Sequence, residues 1–180
     1  MTLEKEIAKA FNLQGDNWMK HANPWSIWTR FATLPLLVIA IWSRVWIGWY
    51  SIIPIGILIF WLIINPTLFK KPKNFDNWGS KSVLGEKYWS NRKKNPVPKH
   101  HKTPILILTI LQSTGGILLM IGLWKLDICL SIIGIITVYL TKMWFLDRMV
   151  WIFEEMNNEH TTKNIVHLAD STSNENDSNK

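Results

Sequence analysis

The side chains best suited to chemistry are three histidines and three carboxylates near the ends of the apolar stretches. They are His21, His100, His101, Asp147, Glu154 and Glu155. Imidazole nitrogens and carboxylate oxygens are ligands that suit zinc and iron. However, the sequence has no paired spacing such as H-E-x-x-H, and Lys99 and Lys102 place repelling charge beside the histidine pair. A solvated histidine pair is therefore the default interpretation, and a zinc or iron site is the alternative, with the ligands His21, His100, His101 and Glu154.

A second group lies near the end of the last apolar stretch. Trp144, Arg148 and Trp151 occur at i, i+4 and i+7, so one helical face can stack a guanidinium between two indoles. Asp147 can hold Arg148 or a cation of another segment. We interpret this group as a structural anchor where a helix leaves the bilayer. The alternative is a lipid headgroup site in which Arg148 binds the phosphate and Asp147 orients the side chain.

Residues 67–102 form a strongly basic segment. Ten Lys and Arg residues stand there against only Asp76 and Glu86. Aromatic residues between the lysines would suit single-stranded nucleic acid, but the segment lies between apolar stretches. At about 1 kcal/mol per basic residue near an anionic membrane surface, lipid is the favoured partner. Nucleic acid ranks well below it.

The apolar stretches that position these residues indicate membrane spans. The charged fraction of 18% is below the roughly 25% of soluble domains, and most of the twelve tryptophans stand at the edges of apolar blocks, as in an aromatic belt. The first stretch has a length of roughly 28 Å as a helix, close to the thickness of a hydrocarbon core. The predicted spans are residues 24–42, 51–64, 104–124 and 128–146. The predicted fold is therefore all-α, a four-helix transmembrane bundle of two hairpins with short interfacial helices.

The remaining segments complete a single membrane domain, residues 1–156. Residues 2–13 read as an amphipathic surface helix, and residues 80–91 as a helix in the membrane interface. Asn23 with Pro24, and Thr103 with Pro104, have the composition of helix starts. We expect residues 157–180 to be a disordered polar tail. No cleavable signal peptide is visible, so the first span is expected to direct its own insertion.

The distribution of basic residues predicts the orientation. The segment 67–102 carries ten, whereas the two short turns on the other side carry only Arg44 and Lys125. Positive charge favours the cytoplasmic side. We therefore expect a multi-pass cell-membrane protein with the basic segment and both termini in the cytoplasm.

Polar residues within the spans are few. Gln112, Ser113 and Thr114 stand in the third span, and small residues there and in the fourth span are expected to pack these two helices closely. No ionisable residue was found deep in a span, which disfavours a proton- or ion-coupled transporter. A small-solute channel or carrier, with a polar lumen around these residues and Thr137 of the fourth span, stays open as a third interpretation.

Three motifs resemble those of a family of small prokaryotic membrane proteins of unknown function. They are His21–Ser26 with Thr29 and Arg30; Asp76–Trp78 with Val83–Glu86; and Trp144–Trp151. The resemblance covers roughly residues 15–156. It implies a multi-pass membrane protein and brings no catalytic residues. It also suggests that the motifs converge on the cytoplasmic side.

We therefore rank a non-enzymatic membrane component first, one that binds anionic lipid headgroups or a protein partner, including a second copy of the chain. The residues expected to form this site are Arg30, Asp76, Asn77, Glu86, Asp147 and Arg148. This interpretation requires no cofactor. The alternative is a small membrane enzyme, dependent on zinc or iron and acting on a lipid, that uses His21, His100, His101, Asp147 and Glu154.

Overall fold

The computed structural model describes the backbone of residue 20 and of residues 22–178. Side chains are described as far as Asn158, apart from Pro66. Within this part of the chain every regular element is a helix and no β-strand occurs, so the all-α prediction is confirmed. The predicted surface helix at residues 2–13 and the predicted ligand His21 lie outside the described residues.

The first half of the chain forms two long helices joined by a short helical turn. Helix α1 spans Pro24–Trp42, the bounds of the first predicted span. The Asn23 side chain accepts a hydrogen bond from the Trp25 amide at 2.9 Å, as expected of a cap followed by proline. After α1 come a short helix, α2 (Arg44–Ile47), a 3₁₀ turn (Gly48–Ser51) and α3 (Ile52–Leu68).

The second half contributes three helices and a second 3₁₀ turn. They are α4 (Trp78–Ser90), the 3₁₀ turn Lys99–His101, α5 (Lys102–Lys125) and α6 (Ile128–Ser178). The expected cap at Thr103 is wrong, because the 3₁₀ turn leads directly into α5 and helical structure begins before that residue. The α6 backbone continues past the start of the expected disordered tail, whose side chains are not described beyond Asn158; disorder there stays a prediction.

Small residues bring α5 and α6 into close contact. A Cβ atom added at Gly122 would lie 2.5 Å from the Ser131 amide nitrogen, and one at Gly134 would lie 2.5 Å from the Leu119 nitrogen. Neither position has room for a larger side chain. The expected packing of these helices through small residues is therefore present in the structure.

Helix α4 packs on the part of α6 that follows Leu146, and its apolar side faces protein. A Cβ atom at Gly85 would lie only 1.8 Å from the Met149 carbonyl oxygen, so the two backbones touch at this glycine. Val83 is buried with Ile27 of α1. The expected interfacial helix thus exists, but its apolar residues are covered mainly by α6 and α1 because Gly85 permits this close approach.

Contacts between distant segments define two ends of the molecule. At the first, which we call the basic end, Asn23 Nδ2 donates to the Lys70 carbonyl at 2.9 Å and Ser80 Oγ donates to the Ala22 carbonyl at 2.6 Å. The basic segment 67–102 belongs to this end. At the opposite end, Arg44 Nη2 donates to the Trp124 carbonyl at 3.1 Å.

Much apolar surface is left exposed by this packing. Three described segments are long and apolar enough to cross a membrane by length and composition: Pro24–Asn65, Lys99–Lys125 and Ile128–Asn158. In the most apolar part of the first segment only 6% of residues are buried within the protein. Such a surface is typical of a chain whose helices face lipid.

Candidate functional site

A buried polar cluster joins the start of α1 to the end of α3 at the basic end. Ser26 Oγ donates to Asn65 Oδ1 at 2.7 Å, and Asn65 Nδ2 donates to Thr29 Oγ1 at 2.9 Å. Ser26 and Asn65 are fully buried. Because the bonded residues lie at opposite ends of their helices, α1 and α3 run antiparallel, and the cluster fixes the position of the α1 turn that carries Arg30.

A cavity of about 240 Å³ lies at the junction of α1, α4 and α6. Its wall is mostly apolar, with Ile27, Phe31, Leu34, Val83, Val138 and Leu146. The polar part consists of Arg30 from α1, Ser82 and Glu86 from α4, and Tyr139 and Lys142 from α6. The cavity therefore combines charge with an apolar wall, a combination that suits an amphiphilic ligand.

Two cations and one carboxylate set the charge of this cavity. Lys142 Nζ lies 3.2 Å from Glu86 Oε1 and 4.9 Å from the centre of the Phe145 ring. The Nε atom of Arg30 donates to the Ser26 carbonyl at 3.0 Å. The Tyr139 hydroxyl donates to the Phe31 carbonyl, which ties α6 to α1 beside the charged group. With both cations and the carboxylate ionised, the cavity carries one net positive charge.

The other residues expected in the lipid site serve mainly to hold α4. Asn77 caps this helix, since its Oδ1 accepts from the Ser80 amide at 2.8 Å. Asp147 Oδ1 accepts from Trp78 Nε1 at 3.2 Å. Neither side chain lines the cavity, and Asp76 is exposed in the turn before α4.

Arg148 also lies outside the cavity. Its guanidinium carbon is 4.9 Å from the centre of the Trp151 ring, which gives one half of the predicted stack. Asp147, the expected partner of Arg148, is bonded to Trp78 instead. The structure therefore brings together Arg30 and Glu86 from the predicted set and separates them from Arg148.

The histidine pair lies beside a carboxylate of α6. His101 Nε2 is 2.8 Å and His100 Nε2 is 3.3 Å from the same oxygen, Glu155 Oε2. Glu154, the carboxylate named with the histidines in the alternative metal site, instead pairs with Lys81 at 2.9 Å. Along a helix, successive side chains point about 100° apart, so only one of two neighbouring glutamates can face the 3₁₀ turn.

Lys142 is the charged cavity residue that sequence reasoning missed. It falls within the predicted span 128–146, where an unpaired lysine would be costly. That cost is the signal that could have identified it, because the lysine requires a partner and Glu86 is one of two acidic residues in the basic segment. Tyr139 and Asn65 gave no comparable signal.

The expected channel residues of α5 lie at the surface of the described part of this single chain. Ser113 and Thr114 are exposed, and their hydroxyls donate to carbonyls of their own helix at 2.8 and 3.0 Å. Gln112 is partly exposed beside them. This turn of α5 therefore presents polar atoms that are satisfied locally.

Comparison with known proteins places the chain in a family whose function is unknown. No curated protein and no solved structure matches the chain. A model of the family of unknown function DUF6653 matches residues 2–171, and the expected resemblance to a family of unknown function is thereby confirmed. Because the match covers nearly the whole chain, the protein belongs to this family.

Proposed function

We propose that this chain is a four-pass membrane protein that binds an anionic phospholipid headgroup in the cavity between α1, α4 and α6. The observation that carries the proposal is that two cations, Arg30 and Lys142, line the same cavity as an apolar wall. In this topology α1, α3, α5 and α6 each cross the membrane. The segment Pro24–Asn65 crosses twice because α1 and α3 are antiparallel, and the basic end faces the cytoplasm.

Charge balance supports a phosphodiester as the bound group. The two cations exceed Glu86 by one charge, and a phosphodiester carries one negative charge. Arg30 brings a planar guanidinium, a group that suits phosphate oxygens, whereas Lys142 acts as a compact charge that can turn from Glu86 toward the ligand. A side-chain exposure of 35% for Lys142 and 26% for Glu86 keeps this pair accessible.

The size and lining of the cavity indicate which part of the lipid it holds. At about 240 Å³ it is smaller than most drug-sized ligand pockets, which have volumes of roughly 300–1,000 Å³. It therefore suits a phosphate with its glycerol carbons rather than a whole lipid. Phe31 and Leu34 lie on α1, where an acyl chain can continue along the exposed apolar surface of the helices.

The test is lipid retention by the purified full-length protein, measured by native mass spectrometry. Phosphatidylglycerol should remain bound in preference to phosphatidylcholine. Arg30→Gln and Lys142→Gln should each weaken phosphatidylglycerol binding about tenfold, the loss expected of one charge-assisted contact. Lys87→Gln is the matched control, because Lys87 is an exposed lysine of α4 outside the cavity.

Equal weakening by Lys87→Gln would indicate that binding depends on general surface charge and would contradict the cavity assignment. Unchanged retention in both cavity variants, with far-ultraviolet circular dichroism showing folded protein, would contradict it as well. So would equal retention of the two lipids by the unmodified chain.

A metal-dependent membrane enzyme remains the second candidate. The observation that favours it is the convergence of His100, His101 and Glu155 at the basic end. Metal binding and lipid binding involve separate side chains, since none of these three residues lines the cavity.

A further inference from the structure

Two consecutive imidazoles and one carboxylate converge where the 3₁₀ turn before α5 meets α6. Their nearest ligand atoms, one from each residue, all lie within 4.8 Å of one another. The two Nε2 atoms lie 2.8 and 3.3 Å from Glu155 Oε2. In a tetrahedral zinc site with bonds of about 2.0–2.1 Å, neighbouring donor atoms are about 3.3 Å apart. From this geometry we infer that His100, His101 and Glu155 bind a divalent transition-metal ion.

An ion pair between His101 and Glu155 would not require the second histidine. The ring centres of His100 and His101 are 4.1 Å apart, and both rings bring their Nε2 atom to the same carboxylate oxygen, Glu155 Oε2. A metal ion uses both histidines, because each imidazole can give it one nitrogen lone pair. The same ion brings the two nitrogens and the carboxylate oxygen to one positive centre.

The burial of His101 singles out its Nε2 atom. The residue is 1% exposed, and its Nδ1 atom has no hydrogen-bond partner among the described residues. Among the described residues, polar contacts to the His101 ring are therefore made at Nε2 alone. Burying an imidazole is unfavourable unless its polar atoms are satisfied, so the position of Nε2 beside Glu155 marks it as the atom through which His101 can bind an ion.

The other two ligands leave the site open to solvent. The side chains of His100 and Glu155 are 64% and 43% exposed, so an ion can enter without unfolding the turn. Three protein ligands leave one or more coordination positions for water, as in sites of two histidines and one carboxylate that hold zinc or iron(II). Lys99 and Lys102, which argued against a metal in the sequence, are both exposed, and solvent screens their charge.

The position of the site gives the ion a structural consequence. His100 and His101 stand immediately before α5, whereas Glu155 belongs to α6. A bound ion therefore clamps the start of one long helix to the extension of the next.

Zinc titration of the metal-free, full-length protein in detergent tests this inference. Isothermal calorimetry should give one zinc ion per chain, and cobalt(II) should give the visible absorption of a low-coordinate site. His100→Gln and Glu155→Gln should each weaken zinc binding at least tenfold. Glu154→Gln is the matched control, because Glu154 is the neighbouring carboxylate and pairs with Lys81. Zinc should also raise the unfolding temperature of the unmodified protein and leave that of Glu155→Gln unchanged.

Two results would overturn the site. One is absence of zinc binding by the unmodified protein at neutral pH. The other is the same zinc affinity in His100→Gln, Glu155→Gln and Glu154→Gln. Both ligand substitutions alter exposed side chains, so the variants should fold, and circular dichroism verifies this. Failure of this test leaves the lipid proposal intact, because the cavity contains none of these residues.

Discussion

At the scale of the residue, single polar side chains of one helix form hydrogen bonds with polar groups of another helix. Asn65 receives and donates hydrogen bonds across to α1, and Arg44 reaches carbonyls at the end of α5. The last carbonyls of a helix have no partner within the helix and carry partial negative charge. A guanidinium placed there both donates hydrogen bonds and complements that charge.

We expect Arg44→Ala to lower the free energy of unfolding by about 1–2 kcal/mol, because it removes charge-assisted hydrogen bonds to the end of α5. Unfolding in mixed micelles with increasing sodium dodecyl sulfate, followed by tryptophan fluorescence, measures this change. Lys125→Ala is the control, since it removes an exposed cation from the same end of the molecule. Equal effects of the two substitutions would contradict a specific role for Arg44.

The helix cap that the sequence predicted correctly depends on residues that are close together along the chain. Asn23 caps α1 through an amide two residues away, and this pairing is visible in the sequence. Glu86 and Lys142 are 56 residues apart, and their contact depends on how α4 docks on α6. Glu155 rather than Glu154 faces the histidines for the same reason. The cavity and the proposed metal ligands could therefore be predicted only in part.

At the scale of the element, docking of α4 determines whether the cavity exists. This helix contributes Ser82, Val83 and Glu86 to the wall. The spacing of its apolar residues predicted a helix. That spacing could not show whether the apolar side of the helix packs on a membrane surface or on protein. The close contact between Gly85 and the Met149 carbonyl shows that this helix packs on protein.

We expect Gly85→Ala to displace α4 from α6, because its Cβ would lie 1.8 Å from the Met149 carbonyl oxygen. Hydrogen exchange of the α4 amides should rise about tenfold or more, and phosphatidylglycerol retention should fall with it. Gly116→Ala is the matched control, since nothing lies within 4 Å of its added Cβ atom and alanine favours a helix. Unchanged exchange in Gly85→Ala would contradict the observed docking.

At the scale of the whole molecule, charge and apolar surface are separated along the helices. The basic segment 67–102 lies at one end, whereas Arg44 and Lys125 are the only cations of the two turns at the other. Between the ends, α1, α3, α5 and the first part of α6 expose many large apolar side chains. This division is the basis of the proposed topology, in which the basic end stays in the cytoplasm.

Single cysteines test that topology. In a Cys129→Ser background, a membrane-impermeant maleimide applied to intact bacterial cells should label Trp46→Cys and Lys125→Cys at the turns opposite the basic end. It should label Lys20→Cys and Lys73→Cys only after the membrane is permeabilised. This alternation requires that α1, α3 and α5 each cross the bilayer, since each helix connects a protected position with a labelled one.

Labelling of Lys20→Cys and Lys73→Cys in intact cells, with protection of Trp46→Cys, would mean that the orientation is reversed. Protection of Trp46→Cys together with Lys20→Cys and Lys73→Cys would mean that Pro24–Asn65 does not cross twice. In the first case the headgroup cavity would face the outer leaflet, although its chemistry would be unchanged. In the second case α1 and α3 would lie on one side of the membrane, and the apolar surface on both helices would then require cover from another protein rather than from lipid.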